Sequence, residues 1–357
     1  MTKEFEGYIS ELPKGCITET DIYTDKGVLL CPKMTVMDEN TLEKLSNYKG
    51  PVQVVISFTE EPVEEVIIQP DKDESIEFDN SFKEYAVETL SNLYANVDDV
   101  DTLTIGATEM GEEVYSIVKS ATSLCINLEK LKVSDVYTYK HAVDVGTMAA
   151  VLAKVIGESD SFVREVTVSG LLHDIGKEKI PAEIINKPAK LTKEEFEIIK
   201  THPIHGYKLL LGAALISEEV RQGILNHHEN VDGTGYPRGL VDDRIGKMAQ
   251  IISIVDVYDA LVTERAYKSA MSPSQAIEIM FTMSNKFNMD YFRAFLSIIN
   301  AFPNGTEVLL STGEIAIVMR QNKSYPLRPV IKLRDSEKII NLARDTSYLS
   351  TVILRAA

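Results

Sequence analysis

Residues 171–177 read Leu171-Leu172-His173-Asp174-Ile175-Gly176-Lys177, an apolar helical run that ends on two titratable side chains. Phe162, Val166, Ser169, Gly170 and His173 fall on one stripe of a helix expected over 160–175. Ser169 and Gly170 are small enough to let a neighbouring helix approach closely. A lone histidine on such a stripe is more often a hydrogen-bonded core residue than a ligand. This chain, however, has only six histidines in 357 residues: His141, His173, His202, His205, His227 and His228. All six lie in one segment. His141 precedes Val145 by four residues and shares the stripe of Met148, Ala149, Leu152, Val155 and Ile156. Further on, Asp256 shares a face with Ile252 and Val255. A carboxylate on an apolar stripe is costly to bury unless it is paired or bound to metal. Neutral imidazoles with carboxylates suit Zn, Fe, Mn, Ni or Co better than Ca or Mg. The pattern therefore favours a metal centre assembled between helices.

The remaining histidines sit near breaks in the helical pattern. His227 and His228 end the helix EEVRQGILNHH and precede the glycine-rich ENVDGTGYPRG. Adjacent helical residues diverge by about 100°, yet one ion can use both imidazoles where the helix frays. His202 stands before Pro203 at a helix junction, which aims its side chain off axis. His205 reads as a solvent-facing or supporting histidine rather than a ligand. Glu229 and Asp232 read as turn-forming groups or as partners of metal-bound imidazoles, and Asp259 as a structural partner of Arg265. Gly233, Gly235 and Pro237 are turn-makers, with no direct chemistry assigned.

Composition narrows the function classes. The net charge of −17 argues against sequence-independent nucleic-acid binding, which needs a basic face. An anionic small substrate remains compatible, provided cations reverse the field locally. The 44% apolar content suits a globular chain with more than one core, and no apolar run reaches the ~18–20 residues of a membrane span. The N-terminus lacks a signal-peptide pattern. Cys16, Cys31 and Cys125 are odd in number and widely spaced. These features together predict a cytoplasmic protein.

The texture of the chain changes twice. Residues 1–70 predict a small α+β unit: CITETDIYTDKGVLLCPKM alternates around a turn at Asp25-Lys26-Gly27, Asp38 can cap a helix over ENTLEKLSNY, and PVQVVISF reads as a strand. Residues 71–117 are expected to form a helical connector, and the acidic stretch PDKDESIEFDN, residues 70–80, reads as a linker or loop. From 118 to 300 the pattern stays helical. After Pro303, EVLL, IAIVM, PVIKL, IINL and TVILR predict five short strands, a small β unit over 301–357. The fold class is mainly α.

His141, the His173-Asp174 pair followed by Ile-Gly-Lys, and Asp256 resemble the HD superfamily of metal-dependent phosphohydrolases. The run HHENVDGTGYP, with His202 upstream and DVYDALVTERAYK downstream, is similar to the HD-GYP branch, and 118–300 is the stretch expected to form that domain. The resemblance implies an HD-type helical bundle that hydrolyses cyclic di-GMP to linear pGpG, with further hydrolysis to GMP left open. It implies two divalent transition-metal ions, iron favoured over manganese or others. His141, His173, Asp174 and Asp256 would hold one ion, while Asp174 would bridge to a second held by His202, His227 and His228. A hydroxide shared by the two ions would attack phosphorus, so no protein nucleophile is needed. Asp174 and Lys177 carry the catalytic roles; Lys177, Tyr236, Arg265 and Lys268 would contact substrate. Tyr137 stands where some members place a glutamate for a third ion, which favours two. The usual Arg-Pro-Tyr-Arg is Arg265-Ala266-Tyr267-Lys268 here. A protein partner on the Tyr236 loop or the terminal units, and a homodimer, stay open; nucleic acid and membrane are not expected. The alternatives are a non-catalytic cyclic di-GMP sensor, an HD hydrolase of another cyclic dinucleotide or nucleotide, and, more remotely, a di-iron oxygenase.

Overall fold

The computed structural model describes residues 2–57, 70, 71, 75, 76, 78–126, 137–263, 270–336 and 338–357, without the side chains of 39, 40, 80, 137 and 138. The chain divides into two compact units, Met1–Ile68 and Gln69–Ala357.

In the first unit, strands β1 (Thr2–Tyr8), β2 (Ile17–Thr18) and β5 (Pro51–Ser57) form an antiparallel sheet in the order β1-β5-β2. Strands β3 (Ile22–Tyr23) and β4 (Leu29–Cys31) pair around the expected turn, where Gly27 has φ +77°. Helix α1 (Glu39–Leu45) starts at Asp38, whose side chain accepts from the Thr41 amide at 2.7 Å. Val52, Val54 and Ile56 alternate inward from β5 onto Ile9, Cys16, Ile22 and Met37, as period-2 patterning requires. β1 has no counterpart in the sequence reading. Its residues are mostly charged or exposed, and its partner β5, paired from Thr2↔Ser57 to Tyr8↔Pro51, sets its conformation.

The second unit is a helical bundle followed by a sheet. Its helices are α2 (Asn80–Ala95), α3 (Val100–Ser120), α4 (Tyr137–Val155), α5 (Asp160–Leu172), α6 (Ala182–Ile185), α7 (Lys193–Ile199), α8 (His202–Leu209), α9 (Glu218–Asn226), α10 (Lys247–Val262), α11 (Pro273–Thr282) and α12 (Met289–Ile298). Side-chain caps fix many starts: Asp79, Asp99, Ser159, Thr192, Ser217, Ser272 and Asn288 each accept from a backbone amide two or three residues on. Each such cap contributes about 1 kcal/mol. Asp99, whose side chain accepts from the Thr102 amide at 3.1 Å, fixes the start of α3 at Val100. α3 ends at Ser120.

Helices α4 and α5 cross closely. A Cβ on Gly170 would stand 2.7 Å from the Gly146 Cα, so the small-residue surface foreseen on α5 brings two backbones together. α10 is apolar nearly all round and is buried over most of its length, as a central helix must be. Strands β6 (Glu307–Leu310), β7 (Ile315–Arg320), β8 (Val330–Leu333), β9 (Ile339–Asn341) and β10 (Ile353–Ala356) form an antiparallel sheet in the order β10-β6-β7-β8-β9. These are the five strands the sequence predicts. Their inward residues, among them Val308, Val318 and Ile331, join the same continuous core as the bundle. Among the described residues, no helix is long and apolar enough to cross a membrane.

Candidate metal centre

Three histidines reach the bundle interior by the same local device. His173 at the end of α5, His202 at the start of α8 and His227 at the end of α9 each use Nδ1 on the carbonyl three residues back. The partners are Gly170 at 2.7 Å, Ile199 at 2.8 Å and Ile224 at 2.7 Å. A carbonyl only accepts, so Nδ1 carries the proton and each Nε2 presents a lone pair. Those lone pairs converge. His202 Nε2 lies 3.3 Å from His227 Nε2 and 3.3 Å from Asp174 Oδ1. His173 Nε2 lies 3.3 Å from Asp174 Oδ2.

Asp174 and Asp256 join the two halves of the cluster. Asp174 turns Oδ1 toward His202, and Oδ2 toward His173 and, at 3.8 Å, His141 Nε2. Asp256 sets Oδ1 3.1 Å from His141 Nε2 and Oδ2 3.8 Å from His228 Nδ1. The adjacent His227 and His228 rings lie only 4.1 Å apart between centroids, because α9 stops at Asn226 and His227 occupies its cap. All seven candidate ligands thus meet in one place. His205 is half-buried one turn beyond His202 and belongs to none of the convergent ligand groups. His205→Ala should therefore keep metal content and turnover nearly unchanged, whereas His202→Ala should lose one metal equivalent; metal analysis of the two variants checks this.

The donor set fits a cation. His173 Nε2 and Asp174 Oδ1 are buried with no hydrogen-bond partner, and lone pairs 3.3 Å apart repel unless a positive charge lies between them. Burial and the neighbouring imidazoles of His228, His173 and His202 hold the His227 pKa well below the usual histidine range. Burial depresses His228 to about 3. Both rings are therefore neutral at pH 7, as imidazoles offered to a cation must be. His141 behaves differently: burial opposes its charge, but hydrogen bonds to Asp256 and Asp259 prevail and push it up to about 10. A cation at its Nε2 would take the place of the proton facing Asp256, while Nδ1–H still donates to Asp259. Burial likewise opposes charge on Asp174, yet Lys177 and His173 hold the carboxyl well below the usual range. Lys177 Nζ is 2.5 Å from Asp174 Oδ2.

Asp259 has a partner that the sequence reading did not foresee, while the pairing with Arg265 expected for it lies outside the described residues. Its Oδ2 lies 2.6 Å from His141 Nδ1, its Oδ1 accepts from Thr263, and it is almost fully buried. It orients the imidazole, as carboxylates behind metal-binding histidines do. Its spacing of three from Asp256 on an apolar helix was the available signal. Of the other candidates, Tyr236 stacks its ring 4.7 Å from that of His228, and burial raises its pKa so that the phenol stays neutral. Glu229 is buried and clamps the following loop, accepting from the amides of Arg238 at 2.7 Å and Leu240 at 2.9 Å. Asp232 forms the turn, accepting from Thr234. Tyr137 opens α4, but its side chain, like Arg265 and Lys268 altogether, lies outside the described residues.

Residues 114–291 match the family model described as HD domain. The chain belongs to the HD domain family. A cyclic di-GMP phosphodiesterase of Pseudomonas aeruginosa is 37% identical over 230 residues, which cover 64% of this chain and 56% of that protein. A 3′3′-cGAMP-specific phosphodiesterase of Vibrio cholerae is 35% identical over 147 residues, covering 40% of this chain and 33% of that protein. The HD chain thus spans about half or less of the length of these curated relatives. Among solved structures, Bd1817 of Bdellovibrio bacteriovorus, described as an HDG"Y"P protein, aligns over 82% of this chain and 98% of its own at TM-score 0.50 and 19% identity. That likeness concerns the fold alone.

Proposed function

We propose that this HD protein is a metal-dependent phosphodiesterase that hydrolyses cyclic di-GMP to linear pGpG. The observation that carries this reading is the buried convergence of five imidazoles and two carboxylates, with His173 Nε2 and Asp174 Oδ1 left without protein partners. The activity of relatives such as the Pseudomonas phosphodiesterase supports the substrate class. His141, His173, Asp174 and Asp256 would hold one divalent ion, and Asp174, His202, His227 and His228 the other. Mixed imidazole and carboxylate donors suit a transition metal, and iron is our preferred identity. Two such ions, when bound, supply Lewis acidity and a water acidified into a nucleophile near neutral pH.

The chain's own groups do the rest. Asp259 holds the His141 ring with Nε2 inward. The i−3 carbonyls do the same for His173, His202 and His227. Lys177, beside Asp174, places a positive charge where the non-bridging oxygens of a phosphodiester gain charge during attack, the kind of stabilisation that dominates this chemistry. Tyr236, neutral and packed at a tilt against His228, gives a base or ribose an apolar wall ending in a hydroxyl. Arg265 and Lys268 would grip the substrate phosphates. Lys177→Ala should keep both ions and lower kcat, while Arg265→Ala should mainly raise KM; matching defects in steady-state kinetics would argue against separate roles.

We assign catalysis to 118–300, a connecting role to 71–117 and regulatory roles to 1–70 and 301–357, in a cytoplasmic protein whose partners and self-association run through the Tyr236 loop or the terminal units. The deciding experiment is metal analysis of anaerobically purified chain coupled to product analysis with cyclic di-GMP. We expect two ions per chain, since a phenol at Tyr137, with its ordinary pKa near 10, is a poor ligand for a third at pH 7. Three full sites, or binding of cyclic di-GMP without turnover, would overturn the reading. The Vibrio relative favours a second substrate, 3′3′-cGAMP, and faster turnover of that dinucleotide would select it.

A further inference from the structure

A cavity of about 520 Å³ opens where the β7–β8 loop faces the bundle, and it shares no residue with the metal-ligand cluster. Its volume falls within the range of small-molecule sites. Arg320, at the end of β7, and Lys323 line it, and neither forms an ion pair with a described residue. Among the described residues the one acidic side chain lining it is Asp71, so there the two cations outnumber it, on a chain of net charge −17. The wall is already built. Gln321 Nε2 donates to the Phe302 carbonyl at 2.6 Å and to Asn304 Oδ1 at 2.8 Å. Asn322 Nδ2 donates to the Arg328 carbonyl and, at 3.0 Å, to Asn341 Oδ1. Because carbonyls only accept, these bonds fix both amide orientations. Gln321 Oε1 and Asn322 Oδ1 are left as acceptors with no partner among the described residues. Two exposed cations and two fixed acceptors around one cavity suit a ligand with an anionic group at one end and N–H donors at the other.

We propose that this cavity is a second ligand site, for a nucleoside monophosphate. Arg320 and Lys323 hold the phosphate, and the Gln321 and Asn322 carbonyl oxygens accept from the base. The opposite wall carries Ser297 at the end of α12, a helix that packs on α4 and α10, the bearers of His141 and Asp256. Occupancy would thus tie the C-terminal sheet to the helices that carry the metal ligands. The site does not depend on which cyclic dinucleotide is hydrolysed.

Cys125 also lines the cavity and is half-buried, whereas Cys16 and Cys31 are buried. Its reaction with a disulfide reagent reports occupancy, and Cys125→Ser identifies the signal. Saturating GMP should slow that reaction about tenfold, with guanosine or inorganic phosphate alone far less effective, and Arg320→Ala/Lys323→Ala should raise the GMP concentration needed about tenfold, roughly one cation contact's worth of affinity. The double variant should keep basal turnover. Equilibrium dialysis of labelled GMP at the native half-saturating concentration provides a measure independent of the thiol: the native chain should bind about 0.4 equivalent more than the double variant, as a tenfold change in Kd requires. Equal dialysis in the two chains, protection by phosphate equal to that by GMP, or protection undiminished in the double variant would overturn the proposal.

Discussion

Asp174→Ala should abolish turnover and strip the chain of metal together. Asp174 offers Oδ1 to the His202 side and Oδ2 to the His173 side of the cluster, so one truncation removes a ligand from both proposed ions. We expect metal content to fall to near zero per chain. Activity should drop by more than the ~10²–10³-fold typical of losing one transition-state hydrogen-bond donor. Stability supplies a second readout. A ligand that binds only the folded state raises Tm, so chelation should lower the Tm of the native chain and leave that of Asp174→Ala nearly unmoved. Lys177 loses its partner in this variant, but its ammonium is about one-third exposed, so its release to solvent costs little. A variant with both ions and full turnover would show that the bridging assignment is mistaken.

Much of this centre was legible in the sequence because its ligands obey helical periodicity. His141, His173 and Asp256 lie on the apolar stripes of α4, α5 and α10, where a polar group needs a reason to be buried. His227 and His228 were legible for the opposite reason: glycine-rich sequence after them forces the helix to stop, and the two rings turn to one side. What periodicity could not show is which group stands behind each ring. The carbonyls that fix His173, His202 and His227 belong to the backbone and leave no residue-type signal. Asp259 left a signal, its spacing from Asp256, but its partner His141 lies on a different helix, and pairing across helices depends on packing. β1 escaped for a similar reason, since its conformation comes from pairing with β5 rather than from its own residues. The sheet of 301–357 was easier. Its strands alternate and its turns are marked, with Gly313 at φ +86° between β6 and β7.

Gly176 shows how a residue without chemistry can decide the geometry of the site, and Gly176→Ala should have the second-largest effect. A Cβ at this position would stand 2.0 Å from the His202 carbonyl oxygen and 2.5 Å from the Gly206 amide nitrogen. Both are backbone atoms, so no rotamer change relieves the clash, and either the Ile175–Lys179 turn or α8 must move. Asp174 sits at the start of that turn and His202 at the start of α8. Any such movement therefore separates Asp174 Oδ1 from His202 Nε2, now 3.3 Å apart. Overpacking of this kind costs about 1–3 kcal/mol, which a calorimetric Tm would register. A displacement of ~1 Å at a reacting centre lowers rates about 10²-fold. We expect one metal equivalent to be lost from the His202 half, with the His141 half still occupied, so that the variant holds more metal than Asp174→Ala. Gly206→Ala is the control, because an added Cβ there meets only the side chains of Ile224 and Ile175, at 3.0 and 3.3 Å, before it meets backbone. It should be the milder variant on all three measures. Retention of both ions and full turnover in Gly176→Ala would mean that this backbone contact does not set the place of His202, and the second ion would need a different set of ligands.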